Sequence, residues 1–190
     1  MNQAADRRVR RTRLHLADAL ITLLEKKNIN EISVRELSDL ADINRGTFYL
    51  HYKDPYDLLQ KMEQELLDLI QDLLRRHPAR EIKDDPLVIL SSLYRSIRQN
   101  DRLVQILLGK NGDIAFLAKL NQIIRINCID NWAKVFNKKG TKTCEYFCSF
   151  IVAGSVSLVT EWLDNGMNES PEEMAILNRD FIRGGISVLT

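Results

Sequence analysis

Apolar residues recur along this chain at the spacing of a helix, and no segment alternates as a half-buried strand does. Val34, Leu37 and Leu40 mark one short helix. Leu59, Met62, Leu66, Leu69, Ile70 and Leu73 form the stripe of a long one, predicted from about Pro55 to Arg76. His77-Pro78 breaks it, and the polar residues 79–85 read as a loop. Asp85-Pro86 restarts a helix through Leu90, Tyr94 and Ile97 that closes near Asn100. A short helix spans Asp101 to about Leu108, followed by a turn at residues 109–112. Asp113 caps a longer helix through Leu117, Leu120, Ile124, Trp132 and Phe136, which stops at Lys138-Lys139-Gly140. Thr141 opens the next, which ends around Asn165-Gly166. Ser170-Pro171-Glu172-Glu173 is a capping box with proline at the first helical position, and it starts a last helix through Met174, Leu177, Phe181 and Val188. With a helix at the N-terminus and another beginning at residue 44, the pattern predicts an all-α protein of about nine helices.

The stretch from Ile32 to Leu59 is richer than the rest. Ser33-Val34-Arg35-Glu36 forms a capping box, in which the Ser33 hydroxyl accepts from the Glu36 amide and the Glu36 carboxylate reaches back. Asn44 is a second N-cap, Gly46 adds no side chain beside it, and Asp54-Pro55 marks a third helix start. Only a turn fits between Leu40 and Asn44. Two short helices joined by a tight turn predict a helix-turn-helix, whose second helix enters the DNA major groove. That helix is expected to carry Arg45, Thr47, Tyr49, His51 and Lys53. Arg45, Gly46 and Tyr49 project on one side, continued by Lys53, while Phe48 and Tyr52 turn towards Leu37, Leu40 and the first helix. Arg45 can donate to guanine or phosphate, and Thr47 can meet a thymine methyl. Tyr49, His51 and Lys53 suit phosphates, which fix register without reading sequence.

These residues resemble the DNA-binding domain of TetR/AcrR-type transcriptional regulators. The matching pieces are a basic first helix, Ser33–Leu37, the run from Ala41 to Tyr52 with its Gly-Thr-Phe-Tyr-x-His-Tyr core, and Asp57-Leu58-Leu59. The resemblance implies an N-terminal three-helix DNA-binding domain (residues 1–53) and a helical regulatory and dimerisation domain (residues 54–190). It also implies a homodimer on a palindromic operator, often a repressor released by a small-molecule effector through the helix that joins the domains. Operator contacts would then fall on Ser33, Arg35, Arg45, Gly46, Thr47, Tyr49, His51 and Lys53. Pro55 stands where the family commonly has lysine, which leaves Tyr56 to supply that phosphate contact.

Charge adds a gradient. The whole chain carries +1, but residues 1–53 hold ten Lys/Arg against seven Asp/Glu, a net +3, leaving −2 for the remainder. Arg7, Arg8, Arg10, Arg11 and Arg13 crowd the N-terminus, either to cross a phosphate backbone or as a solvated, partly frayed end. No apolar signal core follows them, and no run approaches the ~18 apolar residues that span a membrane, so a cytoplasmic protein is expected. Cys128, Cys144 and Cys148 are an odd set without a nearby third ligand, which favours small buried hydrophobes over a redox or metal site. No cofactor is implied.

For the body, two roles stay open at each candidate. Gly154, Ser157, Leu158, Phe181 and Gly185 on the last two helices form either a dimer surface or close packing within one subunit. Tyr94, Phe116, Trp132, Phe136, Phe147 and Phe150 either line an effector cavity or fill the core, with Asn127, Ser149 and Ser155 as possible orienting groups. No acidic or basic cluster in the body names an effector. A body that binds a protein partner, as an architectural or cell-cycle factor would, is the alternative. An enzyme is not expected: there is no phosphate-cradling glycine loop, His/Glu metal motif or nucleophile beside a base.

Overall fold

Residues 3–77, 85–109, 112–135 and 142–184 are described by a computed structural model of the chain. Among them stand nine α-helices and no strand: α1 Gln3–Leu24, α2 Val34–Leu40, α3 Arg45–Tyr49, α4 Pro55–Arg76, α5 Leu87–Gln99, α6 Asp101–Leu108, α7 Ile114–Val135, α8 Lys142–Asp164 and α9 Pro171–Gly184. A single 3₁₀ turn, Ile29–Glu31, lies between α1 and α2. Two compact units divide the chain, Met1–Leu66 and Leu67–Thr190, so the division falls within α4 rather than ahead of it. Residues 79–84 of the expected 79–85 loop, the Lys138-Lys139-Gly140 stop, Phe136, Gly185 and Val188 lie outside the described residues.

In the first unit, Leu16, Ala19, Leu20 and Leu23 give α1 a buried stripe at helical spacing, and Leu37, Phe48, Tyr52, Leu58, Leu59 and Met62 meet it from the other elements. Burying each large side chain contributes about 1.5–3 kcal/mol. Leu40 departs from expectation. It lies half exposed, because a helix of seven residues offers only two turns and Leu37 already occupies the inward one. Between α2 and α3, Asp42 takes φ 54° while the Ile43 amide bonds the Ser38 carbonyl at 3.0 Å and the Asp42 amide reaches Asp39 O at 3.4 Å. That is the double bond of a Schellman turn with aspartate at the left-handed position, where aspartate is tolerated better than most residues.

In the second unit, α5 packs along α9, α8 contacts α6, α7 and α9, and α6 bridges α5 and α7. Tyr94 and Trp162 meet edge to face at 5.4 Å, both fully buried. The buried Asn178 side chain donates to Tyr94 Oη at 3.1 Å and accepts from Ser155 Oγ at 3.1 Å, tying α5, α8 and α9 together. Burial pushes the Tyr94 hydroxyl up to about 12, against the opposing hydrogen bond from Asn178. The Ser170–Glu173 capping box is complete, with Glu173 N donating to Ser170 Oγ at 3.2 Å and Ser170 N to Glu173 Oε2 at 2.8 Å. Gly166 at φ 80° closes α8 by a second Schellman turn, its amide on Leu163 O and that of Met167 on Trp162 O.

One expectation needs correction. The stretch Glu145–Asp164 of α8 does reach the length and apolarity that a membrane span requires. Its apolar residues divide by face: Val152, Val159, Trp162 and Leu163 are buried within the unit, while Tyr146, Phe147 and Phe150 are exposed.

Ser38 on α2 is fully buried, and its hydroxyl has no hydrogen-bond partner among the described residues. An unsatisfied buried hydroxyl is destabilising, so Ser38→Ala is expected to raise stability by about 1 kcal/mol. Urea denaturation at fixed protein concentration checks this: the midpoint should rise at unchanged slope, and a fall would mean that the hydroxyl is satisfied.

Candidate nucleic-acid interface

Two side-chain caps build the helix pair. Ser33 Oγ accepts from Glu36 N at 3.2 Å and starts α2, but the Glu36 carboxylate pairs with Lys27 instead of reaching back. Asn44 Oδ1 accepts from Gly46 N at 2.7 Å, while the Asn44 carbonyl takes the amides of Thr47 and Phe48. A Cβ added at Gly46 would stand 3.1 Å from that capping oxygen, so glycine leaves the cap undisturbed. At the third helix start, expected at Asp54-Pro55, the side-chain bonds were not anticipated: Asp57 N donates to Asp54 Oδ1 at 2.8 Å, and the Asp57 carboxylate accepts from Lys53 N at 2.9 Å. The Asp-x-x-Asp spacing at 54–57 was their sequence signal.

The second helix is shorter than expected. It ends at Tyr49, with Leu50 as C-cap, so His51 and Lys53 lie in the following turn and not on the helix. The amides of His51 and Tyr52 both return to Phe48 O, which ends the helix as a tight turn. Phe48 is wholly buried, 5.6 Å from the Tyr49 ring edge-on and 5.7 Å from the Tyr52 ring. Its burial sets which side of α3 faces outward. On that side Arg45, Gly46 and Tyr49 are exposed, Thr47 and His51 are half-buried, and the Lys53 side chain is exposed.

The flanking candidates fall as follows. Ser33 and Arg35 are exposed at the start of α2, Arg35 loosely paired with Asp39 at 3.8 Å. Pro55 is buried and Tyr56 half exposed in the first turn of α4. Leu50, not singled out from sequence, is 80% exposed directly after Tyr49. Its signal was the four-residue step from Gly46, which puts both on one face.

The arginine cluster divides. Arg7, Arg8, Arg10 and Arg11 are exposed on α1, part of a helix and not a frayed arm. Arg13 leaves the group: its Nε donates to Tyr52 Oη at 3.3 Å and its guanidinium pairs with Glu65. The Asp57 carboxyl is held below the usual carboxylate range, first by the Lys53 amide and then by Lys61, so it stays anionic at neutral pH.

The body candidates are not gathered at one place. Tyr94 and Phe116 are fully buried, whereas Phe147 and Phe150 lie on the exposed side of α8. The Trp132 side chain and Phe136 lie outside what is described. Asn127 bonds Ile123 O and Ser155 bonds Asn178, so both polar groups are engaged within the chain, while Ser149 is exposed. Gly154 and Ser157 are exposed, Leu158 is half-buried and Phe181 lies at the surface of α9. The three cysteine side chains are outside the described set, and among the described residues no group of three metal-binding side chains occurs.

Comparison with known proteins agrees with this architecture. Residues 84–184, just over half the chain, match the TetR-type family described as transcriptional regulator C-terminal region. The HTH-type transcriptional regulator AcrR of Shigella flexneri is 24% identical over 131 residues, which cover 65% of this chain and 60% of that protein. The chain thus spans about 60% of the length of this curated relative. The fatty acid degradation regulator FadR from Bacillus halodurans superposes with a TM-score of 0.72 at 13% identity, over 92% of this chain and 96% of that one. FadR from Bacillus subtilis, in complex with stearoyl-CoA, gives a TM-score of 0.65 at 14% identity, over 91% and 98%. With an N-terminal helix-turn-helix and a helical second unit that matches this family over more than half of the chain, the chain belongs to the TetR family of transcriptional regulators.

Proposed function

We infer that this regulator is a homodimeric repressor that binds a palindromic operator through α3 and is released by a small-molecule effector. The observation that carries the DNA-binding half is the outward face of α3. A side-chain cap at Asn44 and the buried Phe48 ring present Arg45, Gly46 and Tyr49 together to solvent. In this reading Arg45 reads a base edge and Thr47 a thymine methyl, while Tyr49, His51 and Lys53 hold phosphates. Ser33, Arg35 and Tyr56 add backbone contacts from the flanking helices. In this reading residues 1–53 form the DNA-reading part and 54–190 the regulatory and dimerising part, with α4 starting at Pro55 directly after the first and running on past the 66/67 division of the two compact units. Such a protein works in the cytoplasm.

Support for the dimer comes from α8. Tyr146, Phe150, Ala153, Gly154 and Ser157 are all exposed and fall within one sector about 100° wide, opposite the buried Val152, Val159 and Leu163. Tyr146 and Phe150 are 71% and 70% exposed. A Cβ at Gly154 would meet nothing within 4 Å in its own subunit, so packing within the subunit does not require glycine there, and a close approach by a second copy would. Two heads on one operator must then stand about 34–36 Å apart, or a multiple of that. The effector reading rests on the family and on the shared fold of a neighbour bound to stearoyl-CoA. An effector acts only through its differential affinity for the two arrangements of the body.

Binding of a genomic fragment library across a salt series tests the first half. Specific duplexes should be retained and lost steeply with salt. Lys53→Ala and Tyr49→Phe are expected to weaken all sequences alike, the former lowering the salt slope by about 0.9. Arg45→Ala should also relax base preference at one position, costing about 1–3 kcal/mol on the preferred site. Equal weakening of every sequence by Arg45→Ala would remove its base-reading role, and a folded dimer that binds no duplex would remove the reading.

For the dimer, sedimentation at micromolar concentration should give twice the 22.0 kDa chain mass. Phe150→Glu should yield a folded monomer with weakened operator binding, whereas a dimer unaffected by Phe150→Glu would move the interface elsewhere.

A further inference from the structure

His51 and Lys53 lie in a turn, and a turn does not hold its own shape as a helix does. Beyond the His51 and Tyr52 amides on Phe48 O, side chains of α4 hold its main chain. Lys61 Nζ donates to the His51 carbonyl at 3.0 Å, and Asp57 Oδ2 accepts from the Lys53 amide at 2.9 Å. Lys61 and Asp57 bond each other at 3.0 Å, closing a ring of contacts from α4 to both ends of the segment 51–53. Between those ends Tyr52 points inward: Lys61 Nζ stands 4.8 Å from its ring centroid, and its hydroxyl accepts from Arg13, itself paired with Glu65. Each of the turn's three residues is therefore held from α4 or α1. The grip on His51 and Lys53 is through backbone atoms alone, which leaves the Lys53 ammonium exposed and the His51 ring half exposed.

An exposed lysine–aspartate pair of this kind adds little to stability by itself. Its geometry serves something else. Ordering three turn residues at the moment of binding costs conformational entropy, and a turn already held in place avoids that loss. We propose that Lys61, with Asp57, is a positioning residue for DNA binding: it pre-orders the backbone of residues 51–53 so that His51 and Lys53 are presented to phosphates, without itself touching the duplex. The proposal rests on the reading of this surface as a duplex-binding face, and it assigns a role to two α4 residues that do not belong to the helix-turn-helix.

Lys61→Met removes the donor and the charge while keeping an unbranched side chain, and Lys61→Arg restores a donor and the charge. In the full-length protein at constant salt, Lys61→Met should weaken a specific duplex on the order of tenfold, the equivalent of about 1.4 kcal/mol. Base preference should stay unchanged, and Lys61→Arg should recover most of the loss. The deciding measurement is a cycle against His51→Ala/Lys53→Ala. If Lys61 acts through those residues, adding Lys61→Met to that background changes affinity little. If the losses multiply, Lys61 binds phosphate directly and the positioning role is overturned.

A second readout needs no DNA. Amide exchange at residues 51–53 should quicken in Lys61→Met and in Asp57→Ala while α1 and the first half of α4 stay protected. Unchanged exchange there overturns the proposal even if duplex affinity falls. Failure of the unsubstituted protein to bind any duplex would instead overturn the underlying reading, with the exchange result still deciding whether the turn is held from α4.

Discussion

A helix of five residues cannot persist on its own hydrogen bonds, because nucleation costs more than so few bonds return. The helix α3 exists because Phe48 is buried beneath it and Asn44 caps it. Removing a buried phenylalanine ring typically costs about 3–5 kcal/mol, far more than any polar contact on the outer face. The orientation of Arg45 and Tyr49 is thus inherited from a side chain that points the other way. The same ring sits beside Tyr52, so the core under the helix and the start of the next turn share one anchor.

The second unit solves a different problem. Five helices with broad apolar faces could pack in several registers, since hydrophobic contact has little directionality. The chain from Ser155 through Asn178 to Tyr94 is directional and buried, and a shift of any of the three helices would leave a polar group unsatisfied at a cost of about 1–3 kcal/mol. The polar contacts select one arrangement and the apolar surface stabilises it. Arg95 to Glu172 repeats the α5–α9 pairing at the surface, and Arg98 ties α5 to the Met167 carbonyl in the connection ahead of α9, where such contacts add less.

How much of this was legible in the sequence follows from the range of each interaction. The fourth helix at Pro55–Arg76, the sixth at Asp101–Leu108 and the capped start at Ser170 stand where local signals put them, because caps and prolines act within four residues. The end of α3 was not legible. The His51 and Tyr52 amides both close on Phe48 O, and the residues beyond are bonded to Asp57 and Lys61 of the next helix, contacts that a polar run continuing to Lys53 does not announce. Arg13 could not be separated from its cluster, since its partners lie 39 and 52 residues further on. Periodicity likewise marked Tyr94, Phe116, Phe147 and Phe150 as one aromatic set, although two are core and two lie outside. A helical stripe tells which residues share a face, not what that face meets.

The cap at Asn44 also restricts how this surface can change. Any side chain at position 46 would begin 3.1 Å from the oxygen that starts the helix, so its Cβ presses on the cap before its outer atoms reach a base. Position 46 is therefore a poor place to acquire a new sequence preference. Drift towards a different target would run through positions 45, 49 and 50, whose side chains are exposed and whose replacement leaves the cap alone. The helix start thus acts as a filter on inheritable specificity, leaving one edge of the reading face where a side chain can change without touching the cap.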